Sequence, residues 1–430
     1  MKTNKNCFQS QSLNDWLFYL EQQHPSEIEL GLARVKQVAQ QGDLLNLSSG
    51  KTVLVAGTNG KGTTIAFMEQ YLLSLGFSVG VYSSPHMFTY HERVRITGQH
   101  LSDQDHISAF SYIEHQRNDT PLTYFEFGTL AGFKLLQQAN LDFVLVEVGL
   151  GGRLDATNII NHDLAIVTSI GLDHVDWLGD DLNTIAFEKA GIFRSGKPAV
   201  VGEPENYPAF EQQAKDHNVS KLMQLSQDYQ YEITDSAWQY KSKPHTFSDL
   251  SIPLIPIQNV STAITVLSQL DIELSASKIN RVLEKVSLTG RMHILNDAPM
   301  AMVDVAHNSH AINYLLTTIA KSTRFSHVKE IHLVIAMMKD KDIKQSLELF
   351  QGAVTHWYLG NLPDNPRAAK TDDLAAELRV MGEKNVHILG SVKDAWLSGR
   401  ENQTESSLLL GVGSFYTVAE ILELEEVKCD

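Results

Sequence analysis

The segment VLVAGTNGKGTT, Val53–Thr64, combines three glycines, a lysine and three threonines in the manner of a phosphate-binding loop. Glycine permits positive φ and close backbone approach, and backbone N–H groups before a helix form a nest for anions. Lys61 could reach phosphates, and Thr63 or Thr64 could offer a hydroxyl to Mg²⁺. The common pattern G-x-x-x-x-G-K-[ST] is not met, because Gly62 follows the lysine and position 55 is valine. The segment predicts either a nucleotide site of unusual build or a tight strand-to-helix turn.

Polar residues stand at the ends of three further predicted strands. The sequence SSPH, residues 83–86, could complete a Mg²⁺ shell through a serine hydroxyl, or could be an ordinary Ser-Pro turn. Glu147 follows an apolar strand, where a carboxylate is costly unless it binds a metal ion or is paired, for example with Arg153. Arg153 and Asp155 could also grip an anionic or hydrogen-bonding substrate. His174, after another strand, is either a structural histidine or a metal ligand.

Several other polar positions stay open on local pattern alone. Lys189, in FEKAGIF, has the spacing of an ordinary helix-surface lysine paired with an acid. The sequence VDVAHNSH, residues 303–310, predicts a strand-to-helix turn in which Asp304 could cap the helix or hold a ribose. Asn259 and Arg291 are isolated polar residues to which the local pattern assigns no role.

These candidate residues lie on alternating strand and helix patterns. The apolar runs TVLVA, FSVGVYSS, FVLVEVG and LAIVTSIG predict strands covered on both faces, and apolar positions from Ile65 to Leu75 repeat at helical spacing. Residues 205–257 are less regular and suggest short antiparallel strands. A second alternating pattern begins after about residue 295. We therefore predict an α/β protein. An N-terminal P-loop nucleotide-binding domain with a mostly parallel sheet, 1–294, precedes a smaller Rossmann-like domain, 295–430, and two such lobes suggest a ligand cleft.

Composition narrows the function classes. The chain has 430 residues, 43% of them hydrophobic, which suits a folded protein of more than one domain. A net charge of -16 argues against a general nucleic-acid binder, and no apolar run approaches the roughly 20 residues that cross a bilayer. Cys7 and Cys429 form no disulfide framework, and the polar start has no secretory signal. We expect a soluble, cytoplasmic monomer with small-molecule partners and neither nucleic acid nor membrane as a partner.

Eight segments together resemble a known family. They occur in the family's order over about residues 53–310: AGTNGKGTT, YSSPH, LTYFEFGTLA, EVGLGGRLDATN, TSIGLDH, EKAGIFR, TGRMH and DVAHNSH. They are similar to the folylpolyglutamate synthase and dihydrofolate synthase family, a branch of the Mur-ligase-like ATP-dependent amide ligases. In this branch the loop is GTNGKGT, which accounts for the additional Gly62. The resemblance is closest to bifunctional bacterial members. It implies a ligase that uses ATP to add L-glutamate to 7,8-dihydropteroate and to reduced folates, through an acyl phosphate.

The resemblance also implies roles for matching residues. ATP would contact Gly57, Asn59, Gly60, Lys61, Gly62, Thr63, Thr64, Asn259, Arg291 and Asp304. The pterin substrate would contact Glu29, Leu30, Gly31, Thr123, Tyr124, Phe125, Glu126, Arg153, Leu154, Asp155 and Ala156. Mg²⁺, expected as two ions, would be bound by Ser84, Glu147 and His174, and we favour Thr63 over Thr64 as a further hydroxyl ligand. Lys61 and Lys189 would be catalytic, with Lys189 carbamylated, and we hypothesise that His307 acts near the glutamate or the acyl phosphate.

Two departures and three alternatives accompany this interpretation. Glu29 stands in ELGL where relatives often have DLGL, which could alter contact with the pteridine edge, and Ser309 replaces a proline.

One alternative is an enzyme with folylpolyglutamate synthase activity only. A second is a Mur-type ligase that acts on a cell-wall precursor, against which the TYFE and ELGL segments weigh. A third is a nucleotide-dependent switch, which would hydrolyse ATP without glutamate.

Overall fold

The computed structural model describes residues 12–23, 29–48, 50–234 and 236–426, in two compact units. The first unit comprises Met1–Ile170 and Asp180–Val286, and the second comprises Gly171–Gly179 and Ser287–Asp430. The expected boundary after residue 294 falls inside a strand of the second unit, His293–Asp297. The inclusion of Gly171–Gly179 in the second unit has no counterpart in the sequence pattern. Cys7 and Cys429 lie outside the described residues.

The first unit is organised by an eight-stranded sheet in the order β4-β3-β2-β5-β1-β6-β7-β8. Its strands are β1 Lys51–Ala56, β2 Val79–Tyr82, β3 Val94–Ile96, β4 Gln99–His100, β5 Phe143–Glu147, β6 Leu164–Val167, β7 Pro198–Val201 and β8 Lys221–Gln224. All neighbours pair in parallel except at the edge formed by β3 and β4. The central strands are buried on both faces, as their continuous apolar runs predict. The prediction of a mostly parallel sheet is confirmed.

Helices surround this sheet. The helices of the first unit are α1 Leu13–Gln22, α2 Ala33–Gln41, α3 Lys61–Ser74, α4 Asp103–Arg117, α5 Tyr124–Gln138, α7 Leu182–Ala190, α8 Pro208–Asp216, α9 Ile257–Gln269 and α10 Ala276–Leu283. Helix α3 follows the glycine loop directly, and Gly76, with φ +86°, lies just beyond its C-cap Leu75. Helices α3 and α9 share one hydrophobic core with β1 and β5.

The region between residues 205 and 257 contains the antiparallel strands that its irregular pattern suggests. Strands β9 Tyr229–Ile233, β10 Trp238–Ser242 and β11 Thr246–Leu250 form a three-stranded sheet in the order β11-β10-β9. Its Tyr229 and Tyr240 are buried, and their hydroxyls meet Thr262 and Thr265 of α9 at 3.1 and 2.8 Å. The small sheet therefore completes the core against α9.

The second unit has a six-stranded sheet in the order β12-β13-β17-β14-β15-β16. Its strands are β12 His293–Asp297, β13 Met300–Val303, β14 Glu330–Ile335, β15 Val354–Leu359, β16 Val386–Ile388 and β17 Ser407–Val412. Only β12 is antiparallel to its neighbour. The helices are α6 Val175–Leu178, α11 Ser309–Lys321, α12 Ile343–Phe350, α13 Thr371–Val380, α14 Val392–Glu401 and α15 Phe415–Glu426. This arrangement confirms a separate α/β domain. Among the described helices, none has the length and apolar character to span a membrane.

Candidate functional site

The glycine loop joins the central strand β1 to helix α3, and its backbone adopts conformations that favour glycine. Gly57 has φ +150° and Gly60 has φ +87°. A Cβ on Gly57 would lie 1.9 Å from the hydroxyl oxygen of Thr168, and one on Gly60 would lie 2.6 Å from the side-chain oxygen of Asn259. Both conformation and space therefore require glycine at these positions. The loop leads into the N-terminus of α3, where backbone N–H groups and the helix dipole favour an anion.

The end of strand β6 holds the loop in place. Ser169 accepts a hydrogen bond from the Asn59 N–H at 3.0 Å, and its backbone carbonyl accepts one from Thr58 N–H at 2.8 Å. The Thr168 hydroxyl donates to the Asn59 carbonyl at 2.6 Å. Lys61 Nζ donates to the Gly57 carbonyl at 2.9 Å, so the ammonium lies over the loop. These contacts preform the loop before any ligand binds.

The two threonines at the start of α3 differ in their contacts. Both hydroxyls donate to the Gly60 carbonyl, Thr63 at 3.1 Å and Thr64 at 2.8 Å. Thr63 also contacts Asn259, whose Nδ2 donates to the Thr63 hydroxyl at 2.7 Å. The fold thus brings Asn259 of α9 beside Gly60, although the local sequence gave this asparagine no role.

Glu147 and Ser84 meet at the ends of the neighbouring strands β5 and β2. Glu147 is 7% exposed, and its Oε2 accepts a hydrogen bond from the Ser84 N–H at 3.3 Å. The register pairs Val55 of β1 with Glu147, so this carboxylate lies at the strand end beside the one that enters the glycine loop. Arg153 does not supply the alternative ion pair, because its guanidinium contacts Glu188 at 2.8 Å.

Lys189 is a correction to the local sequence pattern. It lies in the last turn of α7 and is 4% exposed, so the interpretation as a helix-surface lysine is wrong. A second glycine-rich loop, the one that follows β5, packs closely against this end of α7 and explains why Lys189 is buried. A Cβ on Gly152 would lie 2.9 Å from the Lys189 carbonyl oxygen, and Arg153 N–H donates to the Glu188 carbonyl at 2.8 Å. An amphipathic pattern could not reveal this, because the loop residues Gly152 and Arg153 that pack against this end of α7 are distant from it in the chain.

The residues expected to bind a metal ion can be compared with the ligands that Mg²⁺ prefers. Hard cations take oxygen ligands, and Mg²⁺ usually binds one or two carboxylates together with substrate phosphates and water. The buried Glu147 carboxylate near the phosphate-type loop fits that pattern. No three His, Cys, Asp or Glu side chains of the described chain cluster as a metal-binding group. His174 belongs to the second unit, whereas Ser84 and Glu147 belong to the first.

The residues expected to contact the pterin have many internal partners. Arg34 joins the carboxylates of Glu29 and Glu126, the latter at 3.0 Å, while Glu126 also accepts from Thr123 N–H at 2.9 Å and caps α5. Asp155 is 3% exposed and accepts hydrogen bonds from Leu150, Thr157 and the Thr157 hydroxyl. Burial raises the pKa of Asp155 against these hydrogen bonds.

Other members of this set lie at partly buried positions. Leu30, Gly31, Tyr124, Phe125 and Leu154 are half-buried, whereas Ala156 is buried. Packing between two of the segments is tight, because a Cβ on Gly149 would lie 2.5 Å from the ring of Phe125. The fold thus brings the TYFE segment and the loop after β5 together. Their contact with a pterin stays a prediction.

Arg93 is a residue that sequence analysis missed. Its Nε donates to His86 Nδ1 at 2.9 Å, and its guanidinium lies 5.7 Å from the ring centre of Tyr124 and 5.6 Å from that of Tyr90. Burial, together with the Arg93 charge, lowers the pKa of His86 to about 4. A neutral His86 can accept the hydrogen bond from Arg93. His86 and Tyr90 lie close to Arg93 in the chain, but its contact with Tyr124 depends on the fold, so no local motif marks this arginine.

The turn after β13 in the second unit is built on side chains. Asp304 is 9% exposed, and its two oxygens accept hydrogen bonds from Met292 and Ala306 N–H, each at 2.8 Å. Asp304 therefore does not cap the following helix; Asn308 does, accepting from Ala311 N–H at 2.9 Å. Burial raises the pKa of Asp304, and the charge of Arg291 opposes that shift.

The same turn presents His307 beside two charged residues. His307 Nδ1 lies 2.7 Å from the Val305 carbonyl, and Nε2 lies 3.5 Å from Asp173 Oδ2. Lys341 Nζ lies 2.5 Å from Asp173 Oδ1. Burial acts to raise the pKa of Asp173, but the contact with His307 and the charges of His307 and Lys341 outweigh it, so this pKa is lowered. Nearby, the Arg291 guanidinium lies 5.1 Å from the Phe415 ring centre.

Comparisons with known proteins agree with this organisation. The family described as Mur ligase middle domain matches residues 55–296, and the Mur ligase glutamate ligase domain matches residues 290–415. The chain is 41% identical to the Dihydrofolate synthase/folylpolyglutamate synthase of Escherichia coli, over 97% of this chain and 96% of the relative.

Two solved structures are also similar. The structure of E. coli FolC in complex with DHPP and ADP has a TM-score of 0.93 and 41% identity, covering 98% of this chain and 99% of that chain. A bifunctional folylpolyglutamate synthase/dihydrofolate synthase with Mn, AMPPNP and L-glutamate bound has a TM-score of 0.89 and 41% identity, covering 97% and 98% of the two chains.

Proposed function

The chain belongs to the dihydrofolate synthase/folylpolyglutamate synthase family, and we propose that it is an ATP-dependent ligase acting on both folate substrates. It joins L-glutamate to 7,8-dihydropteroate, which gives dihydrofolate, and to tetrahydrofolate and its polyglutamates. The observation that carries this proposal is the preformed glycine loop, with Lys61 above it and the buried Glu147 carboxylate at the neighbouring strand end. A loop of this kind serves phosphoryl transfer.

The reaction has two steps. An oxygen of the substrate carboxylate attacks the γ-phosphorus of ATP, the bond to the β,γ-bridging oxygen breaks, and an acyl phosphate and ADP result. The amino group of L-glutamate then attacks the acyl carbon. Phosphate leaves, the nitrogen loses a proton, and an amide bond has formed.

Lys61 and the loop backbone act in the first step. The ammonium of Lys61 already lies 2.9 Å from the Gly57 carbonyl, so a small change of the flexible side chain brings it to a phosphate. Backbone N–H groups at the start of α3 orient the phosphates, and the lysine neutralises charge that develops on the transferred phosphoryl group. Asn259 supports the loop through Thr63. Arg291 and Asp304 serve the nucleotide in the second unit.

Ser84, Glu147 and His174 would hold Mg²⁺, which we expect as two ions. When bound, Mg²⁺ supplies positive charge that neutralises the phosphates during transfer. Lys189 is buried, with its backbone packed against Gly152 of the loop after β5, and carbamylation would turn its ammonium into an anion. The pterin is held by the segments Glu29–Gly31, Thr123–Glu126 and Arg153–Ala156. His307 serves the glutamate or the acyl phosphate, and the enzyme works as a cytoplasmic monomer.

Phosphate release from ATP tests the proposal. It is measured with 7,8-dihydropteroate or tetrahydrofolate as acceptor, each with and without L-glutamate, and the amide products are identified by mass. We expect release with both acceptors that depends on glutamate. Glutamate-dependent release with tetrahydrofolate but not with 7,8-dihydropteroate would mean that the enzyme has only folylpolyglutamate synthase activity. Release without acceptor or glutamate would support a nucleotide switch, and no release under any condition would remove the ligase.

A further inference from the structure

The carboxylate of Asp173 gathers four donors from three separate parts of the second unit. Oδ1 lies 2.5 Å from Lys341 Nζ and accepts the His174 N–H at 2.9 Å. Oδ2 accepts from Asn308 Nδ2 at 3.2 Å and lies 3.5 Å from His307 Nε2. The Asp173 side chain is only 9% exposed. A carboxylate with this many donors is fixed in position, because its oxygens are occupied from several directions.

The donors come from segments that are distant in the chain. Asp173 belongs to Gly171–Gly179, which the chain contributes to the second unit between β6 and α7. His307 and Asn308 lie in the turn between β13 and α11, and Lys341 lies between β14 and α12. Since β13 and β14 are parallel strands on either side of β17, both turns follow the carboxyl ends of strands in one sheet. Such an edge is where open α/β sheets place functional groups.

The His307 ring is oriented from both sides. A carbonyl oxygen can only accept, so the 2.7 Å contact with Val305 requires a proton on Nδ1. The opposite nitrogen, Nε2, then faces Asp173. Two acceptors, the Val305 carbonyl and the Asp173 carboxylate, thus face the two ring nitrogens and together fix the orientation of the ring. Without Asp173, His307 would keep the contact with its own backbone at Val305.

Lys341 forms a buried ion pair with Asp173. Its side chain is 10% exposed, and removal of one member of a buried ion pair leaves an uncompensated charge. The pair also ties the turn after β14 to the turn that carries His307. The sequence around Lys341, MMKDKD, contains two lysines and two aspartates, so local pattern does not single out Lys341.

We propose that Asp173 is a positioning residue of the ligase reaction, which acts by holding His307 and Lys341 in one fixed arrangement. This inference rests on the proposed function, because it assigns Asp173 to the use of glutamate and acyl phosphate through His307. Asp173 does not contact the substrate in this scheme. Lys341 keeps the Asp173 carboxylate in place, and Asn308 adds a further contact from the turn.

The experiment is a double-mutant cycle between Asp173→Asn and His307→Ala, measured in the glutamate-dependent ligase assay. We expect Asp173→Asn to lower kcat on the order of 10- to 100-fold while KM for ATP changes less than about twofold. Asp173→Asn added to His307→Ala should then cost less than about threefold more, because residues that act as one unit are not additive. Full additivity of the two losses would overturn the proposal.

Controls distinguish the positioning role of Asp173 from a general effect of losing a carboxylate and from an effect on metal binding. Asp297→Asn removes a carboxylate that pairs with Arg324 at the exposed surface of the same unit, and its kcat should stay near wild type. The Mg²⁺ concentration for half-maximal activity should be unchanged in Asp173→Asn; a large shift would place the effect on His174 and overturn the proposal. If Asp173→Asn does not fold, a double variant with Asp173→Asn and Lys341→Met removes both charges of the buried ion pair. The cycle with His307→Ala is then repeated in that double variant. A wild-type enzyme without ligase activity would instead overturn the proposed function itself.

Discussion

Two strand-to-helix turns of this protein solve the same geometric problem by different means. The turn from β1 to α3 uses glycine: Gly57 and Gly60 have φ +150° and +87°. The turn from β13 to α11 contains no glycine between Asp304 and Ser309, and the Asp304 carboxylate holds backbone N–H groups from Met292 and Ala306. The first turn is shaped by backbone conformation, whereas the second is shaped by buried side chains.

This difference explains what each turn can do. A glycine loop before a helix offers backbone N–H groups to a phosphate, and it needs one cation, here Lys61. A turn built on Asp304, His307 and Asn308 offers an imidazole and carboxylates that depend on partners elsewhere, such as Asp173. The conformation of the first turn should therefore depend mainly on its own glycines, with support from Thr168, Ser169 and Asn259. The second should be sensitive to residues that are distant in the chain.

The largest effect is expected for Lys61→Ala, which removes the cation of the first turn. Phosphate release should fall at least about 100-fold, because a charge that meets the transferred phosphoryl group is lost. The melting temperature should change little, since Lys61 is half-buried and its Nζ donates to the backbone carbonyls of Gly57 and Thr58 in its own loop. Lys241→Ala, at an exposed ion pair of the small sheet, is the matched control and should be fully active. Near-normal turnover of Lys61→Ala would contradict the comparison.

Lys189→Ala should have the next largest effect and tests whether the first unit needs more than its glycine turn. Activity should fall on the order of 100-fold, and short carboxylates such as acetate should partly restore it by replacing the anion of a carbamylated lysine. Turnover is measured with and without added carboxylate. Because Lys189 is buried, the melting temperature is followed in parallel. Full activity of the alanine variant would show that the lysine is only structural.

Gly60→Ala tests the backbone part of the comparison. The new methyl group would occupy a left-handed conformation and meet Asn259, so we expect about 1–2 kcal/mol lost in the free energy of unfolding and KM for ATP raised on the order of tenfold. Gly76→Ala is the control, since Gly76 has φ +86° but nothing lies within 4 Å of an added Cβ. It should lose a comparable strain energy and keep its KM for ATP. Equal changes of KM in both variants would mean that strain alone, not the loop shape, matters.

The smallest expected effect is on the pH dependence of the free energy of unfolding. It tests whether the stability of the first unit can change while the chemistry at its glycine turn stays the same. His106 is fully buried, and burial, aided by the His91 charge, lowers its pKa from 6.5 to about 4. The unfolded chain therefore binds a proton between these pH values and the folded chain does not, so stability falls as pH falls from 6.5 towards 4. The slope from this group is at most about 1.4 kcal/mol per pH unit.

His106→Leu should remove that part of the pH dependence and leave kcat at neutral pH unchanged. Urea unfolding at several pH values between 6.5 and 4 measures the slope. His115→Gln is the control at an exposed position of the same helix and should keep the wild-type slope. An unchanged slope in His106→Leu would show that this histidine does not titrate as its burial indicates.

Much of the fold could be predicted because its signals are local. Apolar runs predicted the central strands β1, β2, β5 and β6 of the first sheet, and helical spacing after the glycine loop predicted α3, whereas β3, β4 and β12 were not predicted. The assignment of residues 205–257 to antiparallel strands was correct for β9 to β11, but β8, Lys221–Gln224, joins the main sheet in parallel. A strand of four residues carries too little periodicity to show which sheet it enters.

The candidate site likewise has one part that local sequence predicts and another that depends on the tertiary structure. The sequence by itself determined the phosphate-type loop, since positive φ at Gly57 and Gly60 and a lysine at the start of a helix are properties of adjacent residues. Only the tertiary structure decided that Lys189 is buried, that Asn308 rather than Asp304 caps α11, and that Asp173 joins His307 to Lys341. Burial and ion pairing depend on which distant segments meet, and no pattern of neighbouring residues specifies that meeting.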